Sequence, residues 1–171
     1  MKKIVKRLYY FYVKRSNPMK YAKIIGVKMG KNTHIYGNVL WGSEPWLITL
    51  GDNVYITDGC KFITHDGGTL ILRKFIPDLE LTFPITIKND VYIGVNTIIL
   101  PGITIGNNCI IGAGSVVTKD IPDNSVFAGV PAKHIKSTQE YLDKIKSKSL
   151  GFGHLNSIEK EKKLKKYYNI I

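Results

Sequence analysis

The chain has 171 residues, 44% of them hydrophobic, enough for one domain with a core, and its apolar runs all fall short of the roughly 20 residues that span a bilayer. Its two cysteines are too few for a disulfide scaffold. The net charge of +12 sits at the ends: residues 1–28 carry nine Lys/Arg and no acid, residues 133–171 carry ten Lys against four acids, and residues 29–132 carry six basic against nine acidic residues. Basic ends of this kind meet nucleic acid or an anionic membrane surface, or are merely solvated helix faces; the membrane is kept as a candidate partner and no nucleic acid is expected.

Residues 1–28 read as an N-terminal helical segment. Over 2–14, Ile4, Leu8 and Tyr12 recur at helical spacing. The apolar run LYYFYV is six residues long and no small-residue cleavage site follows, so it does not read as a signal peptide. The expected setting is cytoplasmic, with at most a peripheral contact at the inner face of the membrane. Packing on the end of the domain is the expected use of Tyr9, Tyr10 and Phe11, ahead of contact with a membrane interface. The following SNPMKYAKIIG has an Asn cap, Pro at the first helical position and Gly at the stop, the signature of a short helix.

From Met29 the chain counts in sixes. The blocks are MGKNTH, IYGNVL and WGSEPW, then LGDNVY, ITDGCK and FITHDG from Leu50, then IKNDVY, IGVNTI, ILPGIT, IGNNCI, IGAGSV and VTKDIP from Ile87. A period of six fits neither a helix nor a long strand. It suits a parallel β-helix, in which each hexapeptide is one short strand plus a corner and three make a triangular coil. The first residue of each block points inward, and the fifth must be slim to fit near the corner. Cys60 and Cys109 fall at fifth positions and read as buried fillers. Gly and Asn between them tolerate the positive φ that corners need. The expected fold is an all-β core over 29–132, a parallel β-helix of hexapeptide repeats with N-terminal and C-terminal helices.

The beat breaks twice. Ile35 to Leu50 is 15 residues, so about three extra lie around SEPWLIT. Phe62 to Ile87 is 25, one more than four sixes, so a projecting loop is expected at about 66–84. Loops on rigid scaffolds often carry function. Residues 133–171 read as an exit loop and a basic tail with helices at 138–147 and 157–168.

The most specific stretch is IGAGSVVTKDIPDNSVFAGVPAKHIK, residues 111–136. It resembles the last coils and exit of bacterial hexapeptide-repeat acetyltransferases, nearest the capsule and lipopolysaccharide sugar O-acetyltransferases and related to the maltose and galactoside O-acetyltransferases. Nearly all of 29–136 follows that pattern. The resemblance implies a left-handed coil and a homotrimer with active sites between subunits. It also implies acetyl-CoA as co-substrate without a catalytic metal, and a sugar or glycan acceptor. Carried over by motif, Gly112, the Ala113 amide, Thr118 and Lys119 would meet the pantetheine and phosphate region. Lys133 and Lys136, in VPAKHIK, would meet phosphates as point charges. Tyr92, Gly94 and Val95, in VYIGV, would flank the thioester. The family often has Trp at the place of Tyr92 and Ser or Ala at that of Val95, so the donor at Val95 is its backbone N–H. Gly112 is needed for corner geometry with or without a ligand, and Lys119 reads equally as a solvated charge.

The second break reads FITHDGG, and its THDG resembles the capsule and lipopolysaccharide branch. The resemblance implies that His65 is the general base. The chemistry needs one: an acceptor hydroxyl or amine attacks the thioester carbonyl, and imidazole, titrating near 6.5, accepts its proton at neutral pH. Asp66 and Glu44 are the candidates to hold the other ring nitrogen. A backbone N–H can stabilise the oxyanion. His34, His134 and His154 read as structural or incidental. Glu44 and Trp46 at the first break and Arg73 in the loop are candidate acceptor contacts, Arg73 reading equally as an exposed loop charge. Three other readings compete. One is N-acetylation of a nucleotide-linked amino sugar. Another is a β-helix zinc enzyme of the γ-type carbonic anhydrase kind, which needs two close histidines where this chain has no two within 19 residues. The third is a non-catalytic scaffold.

Overall fold

A computed structural model describes residues 2–170. The chain opens with helices α1 (Lys2–Ser16) and α2 (Pro18–Ile24). Asn17 separates them and caps α2, its side chain accepting the Lys20 N–H at 2.9 Å, with Pro18 at the first helical position. The pair is held by the edge-on rings of Tyr10 and Tyr21, 6.2 Å apart, and by buried Val13 and Ala22.

Short strands follow. They are β1 (Lys28–Met29), β2 (His34–Ile35), β3 (Ile48–Leu50), β4 (Tyr55–Ile56) and β5 (Lys61–Phe62). After a one-turn helix, α3 (Thr69–Leu72), come β6 (Ile85–Ile87), β7 (Val91–Ile93), β8 (Ile98–Ile99), β9 (Thr104–Ile105), β10 (Cys109–Ile111) and β11 (Val116–Val117). The last are β12 (Ser125–Ala128) and β13 (Lys133–Ser137). They form three sheets, β1-β3-β6-β9, β13-β12-β10-β7-β4-β2 and β11-β8-β5. Each of the three middle coils gives one strand to each sheet, and successive coils pair in parallel, so the three sheets are the faces of a prism.

The six-residue beat becomes columns of buried side chains. Leu50, Ile87, Ile105 and Ile121 stack along one face, Ile35, Ile56, Ile93 and Ile111 along the second, and Phe62, Ile99 and Val117 along the third. The slim fifth positions give further columns, Val54–Val91–Cys109–Ser125 and Cys60–Thr97–Ser115. Both cysteines are free and buried, and burial pushes both thiols up. At one corner Asp52, Asn89, Asn107 and Asp123 stack as a ladder, each side chain accepting a backbone N–H of the coil before it. The next residue along, Asn53, Asp90, Asn108 and Asn124, takes the positive φ.

The register records the breaks. Coils within the regular part are offset by 18, as in Ile87 with Ile105. His34 pairs with Tyr55, an offset of 21, so three residues are let out at 42–47, where Pro45–Leu47 forms a 3-10 turn. Tyr55 pairs with Tyr92, an offset of 37, so 19 residues leave the prism between β5 and β6. The end differs from the exit loop expected after 132. Lys133–Ser137 is a strand, β13, which turns back and pairs antiparallel with β12, covering the last edge of the six-stranded sheet. Residues 139–171 form a separate compact unit. In it α5 (Ser157–Tyr167) follows α4 (Thr138–Lys146), and a capping box joins Asn156 to Glu159.

Candidate active site

His65 stands just past β5, on the edge between the three-stranded and four-stranded faces. Its backbone forms an antiparallel bridge to Thr82, and the flanking bonds Phe83 N–H to Thr64 O (2.8 Å) and Asp66 N–H to Leu81 O (2.9 Å) zip the neck of the loop. The ring is therefore carried by pinned backbone at the root of the projecting loop rather than by its tip. One coil below, Glu44 emerges from the first break. Its Oε2 accepts the Thr64 hydroxyl at 2.6 Å and lies 3.0 Å from His65 Nδ1. Thr64 is fully buried, Glu44 and His65 half-buried. The Thr64 hydroxyl first, and then His65, hold the Glu44 carboxyl below the usual carboxylate range, so it is ionised at neutral pH. An ionised acceptor at Nδ1 fixes the proton there, which leaves the lone pair of Nε2 to take a proton. Gly42 permits this: it has φ +68, and a Cβ there would lie 2.9 Å from both the Phe62 carbonyl and Thr64 Oγ1.

The structure decides between the two candidate partners of the histidine. Asp66 turns away; its Oδ1 accepts the Gly68 N–H at 2.8 Å, and its carbonyl accepts the Thr69 hydroxyl at 2.9 Å. The expected catalytic role for Asp66 is thus corrected to that of a turn cap at the loop's exit, because neighbouring side chains on extended backbone point apart. Arg73, expected to face an acceptor, reaches back within the loop: Nε donates to the Leu79 carbonyl at 3.0 Å and the guanidinium meets Glu80 at 2.7 Å. Trp46 sits beside Glu44 at the first break with its side chain exposed. Thr64 and Gly42 are the functional residues that sequence reasoning missed. A signal for the pair Glu44–His65 did exist: one coil of 18 plus the three residues let out equals their separation of 21.

The residues expected at the donor are spread over two edges and the six-stranded face. Tyr92, in mid-β7, is exposed on the six-stranded face, and Gly94, Val95, Gly112 and Ala113 form the next edge, between the six-stranded and three-stranded faces. There the N–H of Gly94 bonds Ile111 O, that of Gly112 bonds Phe127 O, and that of Gly114 bonds Val95 O. Gly94 is buried, and a Cβ on it would lie 2.5 Å from the Ala113 nitrogen, so only glycine lets the two turns stack this closely. Ala113 itself is exposed. Thr118 and Lys119 follow β11, on the same edge as His65 but two coils above it. Lys133 and Lys136 lie on β13, beside Ala128 and Val126. Within one chain a whole strand of the three-stranded sheet separates the Gly94–Ala113 edge from the His65 edge. His34 stacks on Tyr55 at 5.0 Å, and His134 packs edge-on against Phe127 at 5.5 Å. Among the described residues no three His, Cys, Asp or Glu side chains gather as a metal site.

Residues 84–119 match the family model described as bacterial transferase hexapeptide (six repeats). Protein CapG of Staphylococcus aureus is 45% identical over 143 residues, covering 82% of this chain and 83% of that protein. Galactoside O-acetyltransferase of Escherichia coli K12 is 44% identical over 118 residues, covering 65% of this chain but 57% of the relative, so the match spans little more than half its length. A hexapeptide-repeat acetyltransferase of Vibrio cholerae O1 biovar eltor, solved with acetyl coenzyme A, superposes with a TM-score of 0.59 at 34% identity, covering 66% of this chain and 60% of that one. Fold and relatives together define an acyltransferase built on a left-handed β-helix. Within that class, this chain belongs to the bacterial hexapeptide transferase family.

Proposed function

We propose that the protein moves the acetyl group of acetyl-CoA to a hydroxyl of a sugar or surface-polysaccharide precursor, with His65 as the general base. The observation that carries this reading is the His65 Nδ1–Glu44 Oε2 contact of 3.0 Å, which sets the tautomer a base needs. Similarity to a galactoside O-acetyltransferase supports the sugar, and similarity to a structure holding acetyl-CoA supports the donor. In this mechanism the acceptor oxygen attacks the thioester carbonyl carbon as its proton passes to Nε2 of His65. A backbone N–H, that of Val95 by motif, meets the oxyanion. The tetrahedral intermediate collapses with loss of the C–S bond, and the proton returns from Nε2 to the departing sulfur. Lys133 and Lys136 supply charge to the phosphates of the donor. The proposed compartment is the cytoplasm.

The proposed assembly is a homotrimer whose sites form between subunits. Two edges of the prism carry complementary halves of the chemistry, the base with Thr118 on one and Val95 with Ala113 on the other, Tyr92 adjoining on the six-stranded face, and a neighbour's edge would bring them together. The test is thiol release from acetyl-CoA against a panel of galactosides and oligosaccharides. Replacing His65 with Ala should lower the rate at least about 100-fold. Undiminished transfer by that variant would overturn the assignment.

A further inference from the structure

We propose that the outer face of α1 docks on the surface of an anionic phospholipid bilayer. The helix has two unlike sides. One side faces the body: Val13 is 4% exposed, Tyr10 packs on Tyr21, and the Lys14 ammonium lies over the Tyr21 ring. The opposite side carries Ile4, Val5, Leu8, Phe11 and Tyr12, each 64–69% exposed. At 100° per residue these five fall in one arc of the wheel. Arg7 borders the arc on one margin, while Lys6 and Lys14 lie on the body side, their ammonium groups over the rings of Tyr10 and Tyr21. Arg15 closes it at the C-terminal end, where a long side chain can lay its stem on apolar surface and keep its charge outside.

The charge identifies the occupant. No acidic residue precedes Glu44, and residues 1–28 alone carry +9. A second copy of the helix laid on this face would bring like charges together, so self-association is disfavoured. A bilayer of mixed composition satisfies both features: headgroup phosphates meet Arg7 and Arg15 while the acyl boundary takes the apolar arc. A second feature points the same way. An open cavity of about 700 Å³ lies between the end of α1 and the first coil, lined by Phe11, Lys14, Arg15, Pro18, Ile35 and Tyr36. Two cations beside apolar walls fit a phospholipid headgroup with its first methylenes. Among the described residues no helix is long and apolar enough to cross a membrane, so the contact is at the surface.

The test is co-sedimentation of the full chain with vesicles of phosphatidylcholine alone and of phosphatidylcholine with phosphatidylglycerol. Binding is expected only to the anionic vesicles and is expected to weaken with salt. Arg7→Ala with Arg15→Ala should lower the partition coefficient roughly 30-fold. Leu8→Asp with Phe11→Asp should bring it to background. Both variants should keep the wild-type melting temperature and oligomer mass, because the altered side chains face outward. Three results would overturn the proposal: equal binding to neutral vesicles, unchanged binding by both variants, or loss of the oligomer in the Leu8→Asp/Phe11→Asp protein, which would make this face an interface between copies.

Discussion

A single oxygen of Glu44 serves two donors, Thr64 and His65, and that arrangement is hard to replace. The isosteric Glu44→Gln removes the charge and offers His65 an amide of either polarity. It should lower kcat about 100-fold or more, by freeing the imidazole to turn or to carry its proton on the wrong nitrogen, with KM for acetyl-CoA little changed. Asp66→Asn, whose side chain caps a turn, should stay within about threefold of wild type. Steady-state kinetics on the two variants discriminates the roles, and a large loss in Asp66→Asn with none in Glu44→Gln would reverse them. Glu44 also links stability to pH. Its folded pKa lies below the unfolded value, so its pairing stabilises the native state above the ordinary glutamate range of about 4.3 and is lost as pH falls through the lower folded value. The melting-temperature gap between wild type and Glu44→Gln should be widest above about pH 5 and narrow below about pH 4; a gap that does not change with pH would argue against the linkage. At this scale the sequence was only half legible. THDG marked His65, but which of Asp66 and Glu44 reaches it depends on how one coil stacks on the next, which the sequence left open.

The strands were legible because their rule is local: an inward residue every six positions must stack on its equivalent, and deviations would leave a hole. Ile93 shows the consequence. It lies between Ile56 and Ile111 and is fully buried, so Ile93→Ala should cost about 2–5 kcal/mol, read by denaturant unfolding. The loop obeys no such rule. Its length followed from the count, whereas its internal order rests on Arg73, which ties Leu79 and Glu80 to α3, and no periodicity announces that. A half-exposed ion pair of this kind adds little to global stability. Arg73→Ala should therefore leave the melting temperature nearly unchanged. On the proposed function it should raise KM for the acceptor several-fold, because the loop roots at the base, and leave KM for acetyl-CoA as it was. An equal rise in both would place the loop over the donor instead. β13 escaped for the opposite reason. It pairs antiparallel, so VPAKHIKS has no hexapeptide beat to read.

At the scale of the whole molecule, the question is whether one prism holds a complete site. His65 and Thr118 lie on one edge; Gly94, Val95 and Ala113 lie on the next, across the strands β5, β8 and β11. Each edge is rigid, since the corners are stitched coil to coil by backbone hydrogen bonds, so the two halves cannot fold toward each other within a chain. The proposed trimer resolves this by symmetry: every interface joins the base edge of one subunit to the donor edge of its neighbour. Two inactive variants then carry complementary defects. His65→Ala spoils the base edge, and Ala113→Trp, at an exposed corner, fills the donor groove without entering the core. In trimers assembled at random from equal amounts, a working interface needs the base edge of an Ala113→Trp chain beside the donor edge of a His65→Ala chain, each with a chance of one half. Co-refolded mixtures should therefore recover about a quarter of the wild-type rate although neither parent has activity. A site contained in one chain predicts no recovery, because every prism in the mixture would hold one damaged half.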